Sequence, residues 1–251
     1  MARRLAKDLH GIRDRRNLAR VSLHHERTND RDFLRARLKE IIPDAACTPS
    51  PLLRTIARLP FKLIVTTNYD RLLERALVDA GRTFRLIVQT ATGAQDAPTN
   101  AEWTAIPPEQ RPLLIYKIHG TFLERERDPR APIPVDRSPL VVTEDDYIDF
   151  ICALGDEELG VPQVVRAEMS FSTLLFLGYS LEDWDFRALY KSLVMTELTP
   201  NGTRKSVAIQ KGASDEWTKF WVKKGVDIYD VHVYEFAERL AAATNGGGAN
   251  G

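Results

Sequence analysis

Three apolar runs along the chain each end on a polar cluster: Phe61-Lys-Leu-Ile-Val-Thr-Thr-Asn-Tyr-Asp70, Leu113-Leu-Ile-Tyr-Lys-Ile-His-Gly120 and Leu174-Leu-Phe-Leu-Gly-Tyr-Ser180. Leu63-Ile64-Val65 is too short for a helix and apolar on both faces, as strands inside parallel sheets are. Further strands are predicted over 84–88, 113–118, 173–177, 204–210 and 226–233. Helical stripes alternate with them. Asp32 opens one carrying Phe33, Leu34, Leu38, Ile41 and Ile42, which Pro43 stops. Ser50 caps the next, with Pro51 in its first turn and Leu52, Leu53, Ile56 and Leu59 as its stripe. Leu72, Leu73, Ala76, Leu77 and Ala80 form a third, closed by Gly81. Thr143-Glu-Asp-Asp146 reads as a capping box before Tyr147, Ile148, Phe150 and Ile151. Trp184, Phe186, Leu189, Tyr190, Leu193 and Val194 mark a further helix, and Trp217, Phe220 and Trp221 another. Residues 90–111 and 124–139 read as polar, proline-rich connections, Asn201-Gly202 as a turn, and 245–251 as a flexible Gly-rich tail. Strands alternating with helices predict an α/β fold built on a parallel sheet.

In such a sheet, ligands bind beyond the carboxyl ends of the strands. The residues there are Thr66, Thr67, Asn68, Asp70, His119, Gly120, Gly178 and Ser180. Each has a plain alternative. Asn68 or Asp70 can satisfy the free N–H groups at a helix start, and Ser180 or Asp183 can cap the helix after the third run. His119 can be a hydrogen-bonded strand-end residue. It is also the only histidine in these clusters, and histidine titrates near neutral pH. Helix starts at strand ends also hold phosphates, through backbone N–H groups and the helix dipole. Glu144, Asp145 and Asp146 are better read as capping and a solvated face than as a metal site, since no His or Cys stands at ligand spacing.

Composition narrows the class. The 251 residues carry 35 basic and 35 acidic side chains, a formal net charge of +0. That balance gives no reason to expect direct nucleic-acid binding or an anionic membrane surface. The basic run from Arg3 to Arg27, interleaved with Asp8 and Asp14, reads as a solvated helix face. Cys47 and Cys152 are too few for a disulfide framework or a four-cysteine zinc site. No apolar run reaches the roughly 20 residues of a membrane span, and the start lacks the apolar stretch of a signal peptide. A cytoplasmic protein is the expectation.

The ordered set Thr66-Thr67-Asn68-Tyr69-Asp70, Lys117-Ile118-His119-Gly120 and Phe176-Leu177-Gly178-Tyr179-Ser180 resembles the bacterial sirtuin-like domains. So do Leu52 to Pro60, Thr143 to Tyr147 and Leu181 to Asp185. The resemblance implies a Rossmann-like, three-layer domain over 51–240, preceded by a helical segment at 1–50 and followed by a tail at 241–251. It implies NAD as substrate, bound across the strand ends. Asn68 matches the asparagine beside the nicotinamide ribose, Asp70 the acid near the carboxamide, and His119 the catalytic histidine next to the ribose hydroxyls. Thr66, Thr67, Gly120, Gly178 and Ser180 match positions that hold the nucleotide. Many zinc-less bacterial members hydrolyse NAD as antiphage effectors, joined to partner chains or self-assembled. This chain has no Cys-x-x-Cys pairs, which points away from zinc-dependent deacylation and towards NAD hydrolysis. One departure stands out. The family opens with a strand and a Gly-Ala-Gly-x-Ser loop, whereas Gly11 is the only glycine here before Gly81. That leaves a late-called start, a truncated gene, or a domain that binds NAD weakly. A non-catalytic nucleotide-binding or assembly module is therefore the alternative.

Overall fold

A computed structural model describes residues 1–9, 14–42, 46–122, 139–154, 156, 158–182, 186–187, 190–191 and 205–246. The apolar runs become strands of two half-sheets. In the first, β1 (Leu63–Thr66), β2 (Phe84–Thr90), β3 (Gly93–Gln95) and β4 (Leu113–Lys117) lie in the order β1-β4-β2-β3. β4 is parallel to both neighbours, with Leu63 opposite Leu114 and Phe84 opposite Leu113, and only the short β3 runs antiparallel. The second half-sheet, β5 (Leu175–Leu177), β6 (Ser206–Ile209) and β7 (Val226–Tyr229), is wholly parallel. With helices flanking these strands, the fold is a Rossmann-like α/β fold.

Burial follows position in the half-sheets. β4 is buried at every residue, as a central strand should be. β1 and β5, each at the edge of its half-sheet, are half-buried throughout although every residue but Thr66 is apolar.

Most helix starts follow their capping chemistry. Ser50 accepts from Leu53 N–H to open α4 (Pro51–Arg58), and Thr143 with Asp146 forms a capping box at α7 (Glu144–Ala153). α3 (Arg31–Ile41) is capped by Asp30, two residues earlier than expected. Asp32 instead sits in the first turn and pairs with Arg35 at 3.1 Å. α5 (Leu72–Asp79) gives way to Gly81 at φ 67°. The stretch read as a polar connection contains β3 and α6 (Asn100–Ala105), whose start is a Thr99/Glu102 capping box. α8 (Gln163–Ser170) was not anticipated; it begins after Pro162 and buries Val164, Val165 and Met169. After α9 (Asp215–Val222) the last strand stops at Tyr229. Asp230 turns aside to accept from Gly212 N–H at 2.8 Å, and Val233 starts α10 (Val233–Gly246) instead of ending the strand. The Gly11 position, the stop at Pro43, the excursion from Glu124, Asp183 to Asp185, Leu189, Leu193, Val194, the Asn201-Gly202 turn, Arg204 and residues 247–251 lie outside the described residues.

Apolar burial falls into three clusters. One packs α4 and α5 onto β4 through Ile56, Ala57, Leu73, Leu77 and Ile115. A second covers the opposite face with Ile87, Tyr116, Val165, Phe186, Tyr190 and Trp221. The third joins α1 (Ala2–Leu5), α2 (Leu18–Thr28) and α3 to Tyr69, Phe122, Leu140 and Val142. Trp103 and Trp221 are core residues, at 5% and 1% exposure, and Trp217 is half-buried. One expectation changes here. The basic N-terminal run and the acidic turn at 144–146 are partners: Arg20–Glu144 at 3.0 Å, Arg27–Asp145 at 3.5 Å and Arg31–Asp146 at 2.9 Å. Arg31 is the least exposed of the three arginines and also donates to the Leu140 carbonyl at 2.6 Å. The outer two pairs contribute little, since exposed ion pairs are worth about 0–1 kcal/mol.

Candidate active site

The carboxyl ends of β1, β4 and β5 open on one cavity of about 350 Å³. Thr67, Asn68, Tyr69 and Asp70 line it from the loop after β1, His119 from the turn after β4, and Gly178, Tyr179 and Ser180 from the turn after β5. Met1, Leu18 and Ile42 wall it from the N-terminal segment, and Tyr147, Phe150 and Ile151 from α7. Six of the eight expected positions therefore meet in one space. Thr66 and Gly120 are not in its lining.

Those two act through the backbone. Thr66 Oγ1 accepts from Asn68 N–H at 3.2 Å and shapes the turn that presents the Asn68 side chain. Gly120 has φ 79°, and a Cβ there would lie 1.8 Å from the Pro139 carbonyl oxygen. Only glycine lets the chain after His119 run against Leu140, where the two residues form a β-bridge. Asp70 has capping duty, accepting from Leu72 N–H at 3.1 Å at the start of α5. Gly178, at φ 74°, turns the chain sharply after β5 with open space around its Cα, so the following residues face the cavity.

His119 is 8% exposed. Its ring stands edge-on to Tyr147 and Phe150, with centroids 5.0 and 5.7 Å away, and its Nδ1 lies 3.5 Å from the Tyr147 hydroxyl. Burial in this aromatic setting pushes its pKa down to about 4, because the charged form loses its hydration. At neutral pH the imidazole is uncharged, able to accept a hydrogen bond or a proton.

A buried ion pair holds the loop, and neither partner was singled out from the sequence. Lys117, fully buried at the end of β4, pairs with Glu74 of α5 at 3.0 Å. Its ammonium also donates to the backbone carbonyl of Asp70 and, at 3.4 Å, to that of Asn68. Tyr69 reinforces the arrangement: its carbonyl accepts from the Thr121 hydroxyl at 2.9 Å and its own hydroxyl donates to the Val141 carbonyl at 2.6 Å. The loop carrying Asn68 is thus tied to the strand carrying His119. A lysine ending an otherwise apolar strand was the available signal, since a buried ammonium needs a partner. Across the site, the Tyr179 hydroxyl reaches Thr67 Oγ1 at 3.5 Å. Among the described residues no group of three or more His, Cys, Asp or Glu could hold a metal ion, and no helix is long and apolar enough to cross a membrane.

A cavity across the ends of parallel strands, with a buried histidine and an asparagine in its lining, lies where open α/β sheets bind ligands. The SIR2-like domain family matches residues 62–229, and the chain belongs to that family. Relatives include the NAD(+) hydrolase ThsA of Cytobacillus dafuensis, 28% identical over 159 residues covering 60% of this chain and 26% of that protein. The NAD(+) hydrolase ThsA of Bacillus cereus (strain MSX-D12) is 27% identical over 166 residues, covering 65% and 29%. Defense-associated sirtuin 2 of Bacillus subtilis is 24% identical over 189 residues, covering 71% and 16%. The chain spans less than a third of the length of these curated relatives.

Proposed function

We propose that this domain cleaves NAD to nicotinamide and ADP-ribose, in the antiphage setting that the family resemblance implies. The observation that carries the reading is the pairing of Asn68 with an uncharged, buried His119 on one cavity. Its volume sits at the small end of ligand pockets, about 300–1,000 Å³, which suits a nicotinamide and its ribose. In the reaction the C1′–N bond breaks and its electron pair returns to the nicotinamide ring, neutralising that cation. Water then bonds to C1′ and gives up a proton. The leaving group is already cationic, so the protein needs no strong acid. It must hold the ribose, exclude bulk solvent and stabilise a centre of oxocarbenium character. Asn68 orients the ribose hydroxyls or the water. Neutral His119 accepts the hydrogen bond or proton, a role worth a factor on the order of 10²–10⁴. Asp70 serves the carboxamide, while Thr66, Thr67, Gly120, Gly178 and Ser180 shape the nucleotide seat.

In this reading, 1–50 is a helical segment, 51–240 the catalytic domain and 241–251 a tail, in a cytoplasmic protein that acts as a homo-oligomer or beside an effector partner. The second reading is a non-catalytic nucleotide-binding module, in which the same cavity holds the nucleotide without cleaving it. Incubating the protein with NAD and following free nicotinamide decides between them. Release that Asn68→Ala and His119→Ala both abolish, without lowering the melting temperature, supports hydrolysis. NAD binding without release supports the second reading, and neither binding nor release overturns both.

A further inference from the structure

Asn68 is exposed, so its place in the cavity is set by its backbone and not by packing of its side chain. That backbone is gripped from one direction. The carbonyls of Asn68, Tyr69 and Asp70 all accept from the chain around His119. The Lys117 ammonium takes the Asn68 carbonyl, at 3.4 Å, and the Asp70 carbonyl. The Thr121 hydroxyl takes the Tyr69 carbonyl between them at 2.9 Å, with Phe122 N–H beside it at 3.4 Å. Lys117 and Thr121 are both buried, and they stand two residues before and two after His119. An ammonium carries three N–H groups, and three oxygens surround this one: the two loop carbonyls and Glu74 Oε1 at 3.0 Å. An apolar pair of similar volume is often as stable as a buried ion pair. Stability alone therefore does not call for Lys117 and Glu74 at this point, whereas holding two carbonyls at once does call for a cationic donor.

We propose that Lys117 and Thr121 are positioning residues for the reaction, holding Asn68 at a fixed place relative to His119 and so setting turnover without touching the substrate. The proposal rests on the reading of the cavity as a site of NAD cleavage. Neither residue lines the cavity, while Asn68, Tyr69, Asp70 and His119 all do. The clamp takes only backbone carbonyls, so the Asn68 side chain is not part of it. Because its two anchors flank His119 in the chain, a displacement of the His119 turn carries the Asn68 loop with it, and the two groups keep their spacing. A misplacement of about 1 Å between reacting groups can cost about 10²-fold in rate. A modest loosening of an exposed loop is then enough to show in turnover.

Two variants separate positioning from stability. Lys117→Met combined with Glu74→Leu removes both charges and refills their volume. Thr121→Val keeps the side-chain shape and removes the hydroxyl, and because it leaves the ion pair in place it keeps the clamp testable even where the double variant does not fold. For each, the melting temperature, the hydrogen exchange of the amides from Thr67 to Arg71, and kcat and KM for nicotinamide release from NAD are measured. The double variant is expected to melt near wild type, to exchange faster across the loop, and to lose on the order of 10²-fold in kcat while KM changes by less than about threefold. Thr121→Val is expected to show a smaller loss of the same kind. Wild-type kcat or wild-type loop exchange in a folded variant strikes the substituted residue from the assignment, and the functional reading survives. A wild-type protein that releases no nicotinamide overturns the functional reading itself, and the assigned role with it.

Discussion

Burial of His119 couples its protonation to stability, and the sign is opposite to that of a histidine with an acidic partner. Its pKa falls from the ordinary 6.5 to about 4. Above pH 6.5 the side chain is neutral whether the chain is folded or unfolded, and it contributes no pH dependence. As pH drops below 6.5 the unfolded chain takes up the proton while the folded one does not, so stability is lost. Below about 4 both states are protonated and the loss levels off. The gap of about 2.5 pH units, at about 1.36 kcal/mol each, puts the loss near 3 kcal/mol, to order of magnitude. His119→Gln keeps a polar side chain and removes the titration. Urea unfolding of both proteins, stepped from pH 7.5 to 4, isolates this group, because the carboxylates are common to both. The stability difference between wild type and variant is expected to move by about 3 kcal/mol in favour of the variant as pH falls. Parallel profiles would show that His119 is hydrated or paired in solution, and the argument for a neutral imidazole would fall with them.

Two further substitutions test what holds the loop and the turn. Lys117→Met strands the Glu74 carboxylate and two loop carbonyls, and is expected to cost about 3–5 kcal/mol. Adding Glu74→Leu should recover most of that, and strictly additive losses in urea unfolding would show the pair is not coupled. Gly120→Ala must accommodate φ 79° and a Cβ at 1.8 Å from the Pro139 oxygen. It should lose at least about 1–2 kcal/mol from the backbone alone, and a melting temperature equal to wild type would contradict the close approach.

Much of the fold was legible because its signals are local. Apolar triplets such as Leu63-Ile64-Val65 specify strands, and Ser50-Pro51 and Thr143-x-x-Asp146 specify helix starts whatever surrounds them. The errors fall where local signals compete. Asp30 and Asp32 both qualify as caps, and only geometry makes Asp30 the acceptor of the Phe33 N–H. The Thr99/Glu102 box carried the same signature as Thr143/Asp146, but sat among prolines that suggested a loop. Val226 to Val233 looked like one strand because nothing local shows that Asp230 leaves to meet Gly212.

The site was legible for a different reason. Residues at strand ends share a space when the strands are parallel and adjacent, so reading three strand ends amounts to reading one cavity. What escaped is what comes from far along the chain. Glu74 stands 43 positions before Lys117, and no spacing rule links a helix position to a strand end at that distance. The N-terminal wall escaped similarly: Arg20 meets Glu144 across 124 positions, and Arg31 meets Asp146 across 115. Net neutrality made the basic run read as solvated, and capping made the acidic turn read so, when each supplies the other's counter-charge. Their pairing has a consequence for the cavity. Arg31 of α3, paired with Glu26 of α2 at 3.0 Å and Asp146 of α7 at 2.9 Å, ties both helices to α7, which brings Tyr147 and Phe150 to His119. The same N-terminal segment adds Met1, Leu18 and Ile42 as an apolar wall opposite the polar loop of Thr67 to Asp70. The rings beside the buried imidazole are those of α7, Tyr147 and Phe150. The N-terminal segment therefore helps to build the candidate cavity, although among the described residues none of its polar side chains line it.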